Sequence, residues 1–270
     1  MSFTRPNSKA HKSTRLRRIR QAGTGIVAAF AVLFAFPLSA WANPPSALPQ
    51  VADANERAYA PALDYDTDSC YNTPAIGSDG SLAPGLGIGG GVTENCRSES
   101  DLNNTNAYSR YKCNNGWCAI LYGYYFEKDQ IGPGSSVFGH RHDWEHVVVW
   151  MTGGRVWWVS TSCHGGYNIH HRNNVRFFEG EHPKVVYHKD GASTHCFRNS
   201  NNNDEPPENH HRNWKFPSLV GWNGYPHDYQ VRISNHNWGK ASFGLKDASW
   251  LNELNKAKPS DSSVTFNPYG

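Results

Sequence analysis

Apolar positions are concentrated in the middle of the chain. Trp117 to Phe126 is a nearly continuous apolar and aromatic run broken by Gly123, the pattern of a strand covered on both faces. Val147 to Trp150 and Val156 to Val159 are two further runs, joined by Thr152-Gly153-Gly154-Arg155. Gly-Gly between such runs predicts a tight hairpin, because both glycines accept positive φ. Val175 to Phe178, Lys184 to His188 and Tyr229 to Ile233 read as additional short strands. Within Lys246 to Ala257, Ala248, Leu251 and Leu254 instead share one helical face, and Asp247 stands near the start, where the helix dipole favours an acid.

The stretches between these runs are turn-forming or polar. Residues 43–65 are rich in Pro and Ala and predict a loosely structured arm with a short helical piece near Val51 to Tyr59. Ile76 to Val92 is dense in Gly, but no strand precedes it and no helix with Lys-Ser or Lys-Thr follows, so it reads as loop and not as a phosphate cradle. The polar stretch between Arg198 and Arg212 cannot fill a core, and its His210-His211 pair reads as solvated surface. The sum is a mainly β chain: a two-sheet β-sandwich with peripheral helices and long loops.

The amino terminus has a separate character. Residues 1–42 hold seven basic side chains and no acid, and lead through the eleven apolar residues Ile26 to Phe36 to Ala40-Trp41-Ala42, a small-x-small cleavage pattern. The run is shorter than the roughly 20 residues a spanning helix needs. The expectation is therefore a secretory signal peptide over 1–42, cut before Asn43, with one domain over 43–270; Arg17-Arg18 raises a twin-arginine route. Removing the leader lowers Lys+Arg from 26 to 19 against 23 Asp+Glu, a formal charge of −4. The whole-chain charge of +3 thus lends no support to nucleic-acid binding.

Export gives the six cysteines a meaning. Cys70, Cys96, Cys113, Cys118, Cys163 and Cys196 all follow the cleavage point and read as disulfide material, with 15 possible pairings. Asn114-Asn115-Gly116-Trp117 is a tight-turn sequence that would bring Cys113 to Cys118, and sequential pairing of the others is the simplest choice. A zinc site is the competing reading, but neither a CxxC nor an HxxxH element accompanies these cysteines.

The densest cluster of coordinating side chains is Gly139-His140-Arg141-His142-Asp143-Trp144-Glu145-His146, running directly into Val147 to Trp150. In extended backbone alternate residues share a face, which sets Asp143 beside Glu145 and turns Trp144 and His146 the other way. Two adjacent carboxylates need a cation between them, either a divalent ion or a guanidinium such as that of Arg141. His140 has the wrong parity but follows Gly139 and could reach over from a turn. Carboxylates with one imidazole suit Ca²⁺, Mg²⁺ or Mn²⁺; His142 and His146 with a third histidine would instead make a nitrogen-rich zinc or copper site.

The heptapeptide Gly139 to Glu145, GHRHDWE, resembles the signature of the necrosis- and ethylene-inducing proteins, or NLPs, secreted cytolysins that attack plants. The likeness continues in the bracketing of a Gly-rich segment by Cys70 and Cys96. It also covers Tyr108 to Ala119 and Tyr124 to Asp129, which are similar to the subgroup with additional cysteines. Asn237-Trp238-Gly239-Lys240-Ala241 is similar to the family's terminus, and the whole likeness spans roughly residues 55 to 258.

The resemblance implies an actinoporin- and lectin-like sandwich carrying a divalent cation, Ca²⁺ or Mg²⁺, on His140, Asp143, Glu145 and Asp129. Asp129 lies eleven residues before His140, across a longer loop than the family's plant-active members have. The implied partners are glycosylated inositol phosphoceramides of plant plasma membranes, with His195 and His164 as candidate sugar contacts, peripheral membrane contact and a monomeric, extracellular, non-enzymatic toxin. The rivals are a secreted metal-dependent hydrolase with Glu145 or His142 as base, suggested by 13 histidines after His11, and a sugar-binding elicitor that does not lyse.

Overall fold

A computed structural model of the chain describes residues 43–134 and 138–270; the expected leader over 1–42 lies outside the described residues. Among the described residues ten strands are arranged in two sheets. They are β1 (Ala62–Tyr65), β2 (Asn106–Asn114), β3 (Trp117–Gln130), β4 (Gly139–Thr152), β5 (Arg155–Cys163), β6 (Gly166–His171), β7 (Phe177–Phe178), β8 (His182–Lys189), β9 (His195–Asn199) and β10 (Ser218–Gly221), with short helices α1 (Ala54–Ala58) and α2 (Glu99–Asn103) ahead of β1 and β2. The larger sheet has the order β10-β2-β3-β4-β5-β6; in the smaller one β8 pairs with β1 in parallel and with β7 and β9 antiparallel.

Both faces of the central strands are covered, which accounts for their unbroken apolar sequence. Ile120, Tyr122, Tyr124 and Phe126 of β3 and Val147 and Val149 of β4 pack in one core with Leu63, Tyr65, Val185, Tyr187 and Phe197 of the smaller sheet. Leu121, Tyr125, Trp144, Val148 and Trp150 belong to a second core on the opposite face. That face is closed by α3 (Tyr229–Asn235), by Trp238 and Phe243, and by α4 (Trp250–Ala257) through Trp250 and Leu254. No helix among the described residues is long and apolar enough to cross a membrane.

The hairpins follow their turn residues. Gly153 and Gly154 take φ of 58° and 72° between β4 and β5, and Asn115 and Gly116 take 49° and 76° between β2 and β3, as two-residue turns of this kind require. The second turn sets Cys113 opposite Cys118. The disulfides are Cys113–Cys118, Cys70–Cys96 and Cys163–Cys196, the sequential pairing.

Three expectations are corrected. Tyr229 to Ile233, read as a strand, lies in α3, where Tyr229 and Ile233 are i and i+4 on one buried face. The arm at 43–65 carries the expected short helix, α1 (Ala54–Ala58), capped reciprocally by Asp53 and Glu56, but it ends in a fully buried strand, β1, and not in loose chain. The carboxy-terminal helix begins at Trp250 and not at Lys246, since Lys246 to Ser249 form a turn whose Lys246 carbonyl accepts the N–H groups of Ser249 and Trp250.

Candidate metal centre

The ladder between β3 and β4 sets Tyr124 opposite Glu145, Phe126 opposite Asp143 and Asp129 opposite His140. Asp143 and Glu145 continue the inward face of Val147 and Val149, while Trp144 turns outward against Trp238 and Phe243. Strict alternation would carry His140 outward too. At His142, however, φ is +61°, and the ladder skips the Glu127–His142 step. The strand resumes with its faces exchanged, and one donor atom each of Asp129, His140 and Asp143 lies within 4.8 Å of the others. His140 reaches the acids from within β4, not from a turn ahead of it.

Local packing holds the irregular residue. The Tyr125 hydroxyl lies 2.6 Å from His142 Nδ1, and the His142 ring packs edge-on against Trp238 and His236. Gly85 leaves room: a Cβ there would sit 2.7 Å from the His142 ring and from Arg141 Cγ. His140 Nδ1 is 2.7 Å from the His142 carbonyl, so it donates to that oxygen, and Nε2 is the nitrogen that could coordinate an ion.

The acids are buried against each other. Burial first, and then the charge of Asp129, push the Asp143 carboxyl upward; burial and Asp143 do the same to Glu145. Protein donors compensate only in part. Tyr187 donates to Asp143 Oδ2 at 2.9 Å, Ser162 donates to Glu145, and Asp129 Oδ1 accepts from His195. Three carboxylates with one free imidazole nitrogen match the oxygen-rich donor set of a hard divalent cation, and Glu145 lines the same cavity without belonging to the tight trio. An ion there would relieve the repulsion that pushes Asp143 and Glu145 upward.

The cavity above these groups has a volume of about 310 Å³ and is also lined by His164, His195, Tyr167, Lys240, Glu253 and Lys256. His195 is 3% exposed, with Nδ1 2.8 Å from Asp129 and Nε2 3.0 Å from the Asp68 carbonyl. It braces the acid from the second sheet and offers little surface to a ligand. His164, at the β5–β6 turn with φ +49°, is open to solvent and lies 3.0 Å from Asp190. The Cys163–Cys196 disulfide fixes both, since His164 follows one half-cystine and His195 precedes the other.

The rival sites fare differently. His142 does not line the cavity; burial and nearby His236 depress its pKa to about 4, so it is no base for cavity chemistry. His146 uses Nε2 to accept the Gly244 N–H at 3.2 Å and does not join His142 in a nitrogen-rich cluster. Cys163, His164, Asp190 and Cys196 converge, but both sulfurs are spent in the disulfide. His210 and His211 bond to Tyr71 and Asn103, away from the cavity. Tyr187 and Ser162 were not foreseen, although alternation through Val185 and Tyr187 turns Tyr187 inward; that it meets Asp143 depends on how the two sheets pack.

Known proteins share this architecture. A chain described as NLP effector protein 10 of Phytophthora capsici is 29% identical over 218 residues, covering 79% of this chain and 85% of its own length. The solved structure of NLPPya in complex with mannosamine superposes with a TM-score of 0.65 at 26% identity, covering 80% of this chain and 96% of that one. The non-toxic HaNLP3 protein superposes with a TM-score of 0.67 at 25% identity, covering 82% and 99%. The sequence signature of the family described as necrosis inducing protein (NPP1) matches residues 53–257, which contain both sheets, the GHRHDWE strand and the acidic cavity, and the chain belongs to that family.

Proposed function

We propose that this protein is a secreted, cation-dependent cytolysin that binds glycosylated inositol phosphoceramide at plant plasma membranes and causes membrane damage and necrosis. The observation that carries the reading is the convergence of Asp129, His140 and Asp143 in an open cavity that also holds Glu145. A Ca²⁺ or Mg²⁺ ion held there would supply ligand positions for sugar hydroxyls, directly or through water. Kinship with a necrosis-inducing family and with NLP effector proteins of Phytophthora capsici supports the toxic role. Likeness to a relative solved with mannosamine supports a sugar at the site. The chemistry required is binding without covalent turnover.

The test is dye release from vesicles containing plant glycosylated inositol phosphoceramide, beside sphingolipid-free vesicles, with Ca²⁺, with Mg²⁺ and with EDTA. Release that requires both cation and glycolipid is the expected result. Release that persists in EDTA, or from sphingolipid-free vesicles, would overturn the mechanism. Cation-dependent binding without release would identify a non-lytic recognition protein, a reading favoured by the likeness to non-toxic HaNLP3.

A further inference from the structure

A second cleft, of about 770 Å³, shares no lining residue with the acidic cavity. Its volume lies within the roughly 300–1,000 Å³ usual for ligand sites. Two acids, Asp53 and Glu56, and two bases, Arg110 and Lys112, line it, so its formal charge cancels. It favours neither a polyanion nor a polycation.

The charged groups are immobilised by the protein's own contacts. The Arg110 guanidinium is stacked between Trp222 and Trp250, 4.1 and 4.2 Å from their ring centroids, donates to the Leu245 carbonyl at 2.7 Å and pairs with Asp247 at 2.7 Å. Glu56 accepts from the Asp53 N–H at 2.9 Å and the Ser109 hydroxyl at 3.0 Å, and Lys112 donates to the Pro268 carbonyl at 2.9 Å. The walls also approach too closely for side chains at two glycines. A Cβ on Gly221 would lie 2.4 Å from the Glu56 carboxylate, and one on Gly224 would lie 2.1 Å from the Val51 carbonyl. The cleft is therefore rigid and preorganised.

The Asp53 carboxylate is engaged by the Glu56 N–H at 2.8 Å, and the Asn223 amide, with hydrogen-bonding groups of both senses, lines the cleft beside the exposed Tyr111 ring and Val51. β10 pairs β2 only as far as Ser109, so the β2 edge from Arg110 to Cys113 is open beside the cleft and an extended peptide is the competing occupant. A neutral molecule dense in hydroxyls with an apolar face fits best. We propose that this cleft is a cation-independent site for a neutral oligosaccharide, with Tyr111 as the stacking surface and the Asn223 amide as hydroxyl partner.

Saturation-transfer NMR and calorimetry on the full chain in EDTA, with cellohexaose, xylohexaose, mannohexaose and chitohexaose as probes, test this. At least one probe should bind saturably in EDTA. Tyr111→Ala should weaken it about fivefold, the loss expected for a stacking aromatic ring, and Asn223→Ala should weaken it independently if the first variant misfolds. Asp143→Asn should leave it unchanged. Absence of binding by all four sugars, insensitivity to both cleft variants, or loss of binding in Asp143→Asn would overturn the proposal. So would binding of a mixed-sequence peptide in place of the sugars.

Discussion

Asp129 and His195 join the two sheets at the rim of the acidic cavity: one carboxylate oxygen accepts both the His195 ring Nδ1–H, at 2.8 Å, and the His195 backbone N–H, at 3.0 Å. Because the contact is buried and spans both layers, it ties the geometry of the site to the stability of the sandwich. His195→Leu should cost about 1–3 kcal/mol, the penalty for a buried carboxylate that loses donors. Denaturant unfolding in EDTA would measure it, and an unchanged midpoint would show that the contact has no net value.

Asp143→Asn separates the two roles of the acidic trio. In EDTA the variant should melt at a temperature equal to or above that of the parent, because one of three mutually repelling buried carboxylates is gone. The rise in melting temperature on adding Ca²⁺ or Mg²⁺, expected for the parent by mass action, should vanish. A variant that keeps the full rise would remove Asp143 from the ligand set.

Glu127 gives a pH signature. It is wholly inaccessible, neither side-chain oxygen has a hydrogen-bond partner among the described residues, and burial, reinforced by Asp101, pushes its pKa up to about 8. The unfolded chain releases this proton near the usual carboxylate value while the native state keeps it, so the native state binds more protons between about pH 4.5 and 8. Stability from this group is thus complete below the unfolded pKa and is lost as pH rises toward 8. Glu127→Gln should flatten that slope and add about 1–3 kcal/mol at the alkaline end, measured by urea unfolding at several pH values. Parallel profiles for parent and variant would refute the assignment.

Two glycines of the same loop should behave oppositely. Gly85 has φ +65° and no room beside Arg141 and His142, whereas a Cβ at Gly87 meets nothing within 4 Å. Gly85→Ala should cost about 1–3 kcal/mol and reduce cation affinity by moving the His142 ring. Gly87→Ala should stay within about 0.5 kcal/mol of the parent. Calorimetric melting and cation titration of the two variants would decide it, and equal behaviour would show that the close approach is not limiting.

The parts of this fold that local sequence could specify were legible. Gly153-Gly154 and Asn115-Gly116 announce their turns, the run from Trp117 to Phe126 announces a strand covered twice, and parity alone pairs Asp143 with Glu145. Less visible were elements whose identity depends on distant partners. β1, β9 and β10 are four or five residues long and acquire their structure from β8 and β2. Tyr229 to Ile233 fits either period over so short a span, and only the outer face of the larger sheet, with Tyr108 and Trp238 to cover, selects the helix. His195 stands beside Cys196 in sequence, but nothing there shows that its ring meets Asp129 from another sheet.

The left-handed backbone at His142 makes residue count within the motif a matter of phase and not of reach. A strand has only two sides, so one inserted or deleted residue between Gly139 and Asp143 would deliver the imidazole of His140 to the layer of Trp144 and Trp238 and leave the acids without it. The same change of length ahead of Gly139 alters no side. The motif is therefore intolerant of indels, while the loop that leads into it is free to lengthen.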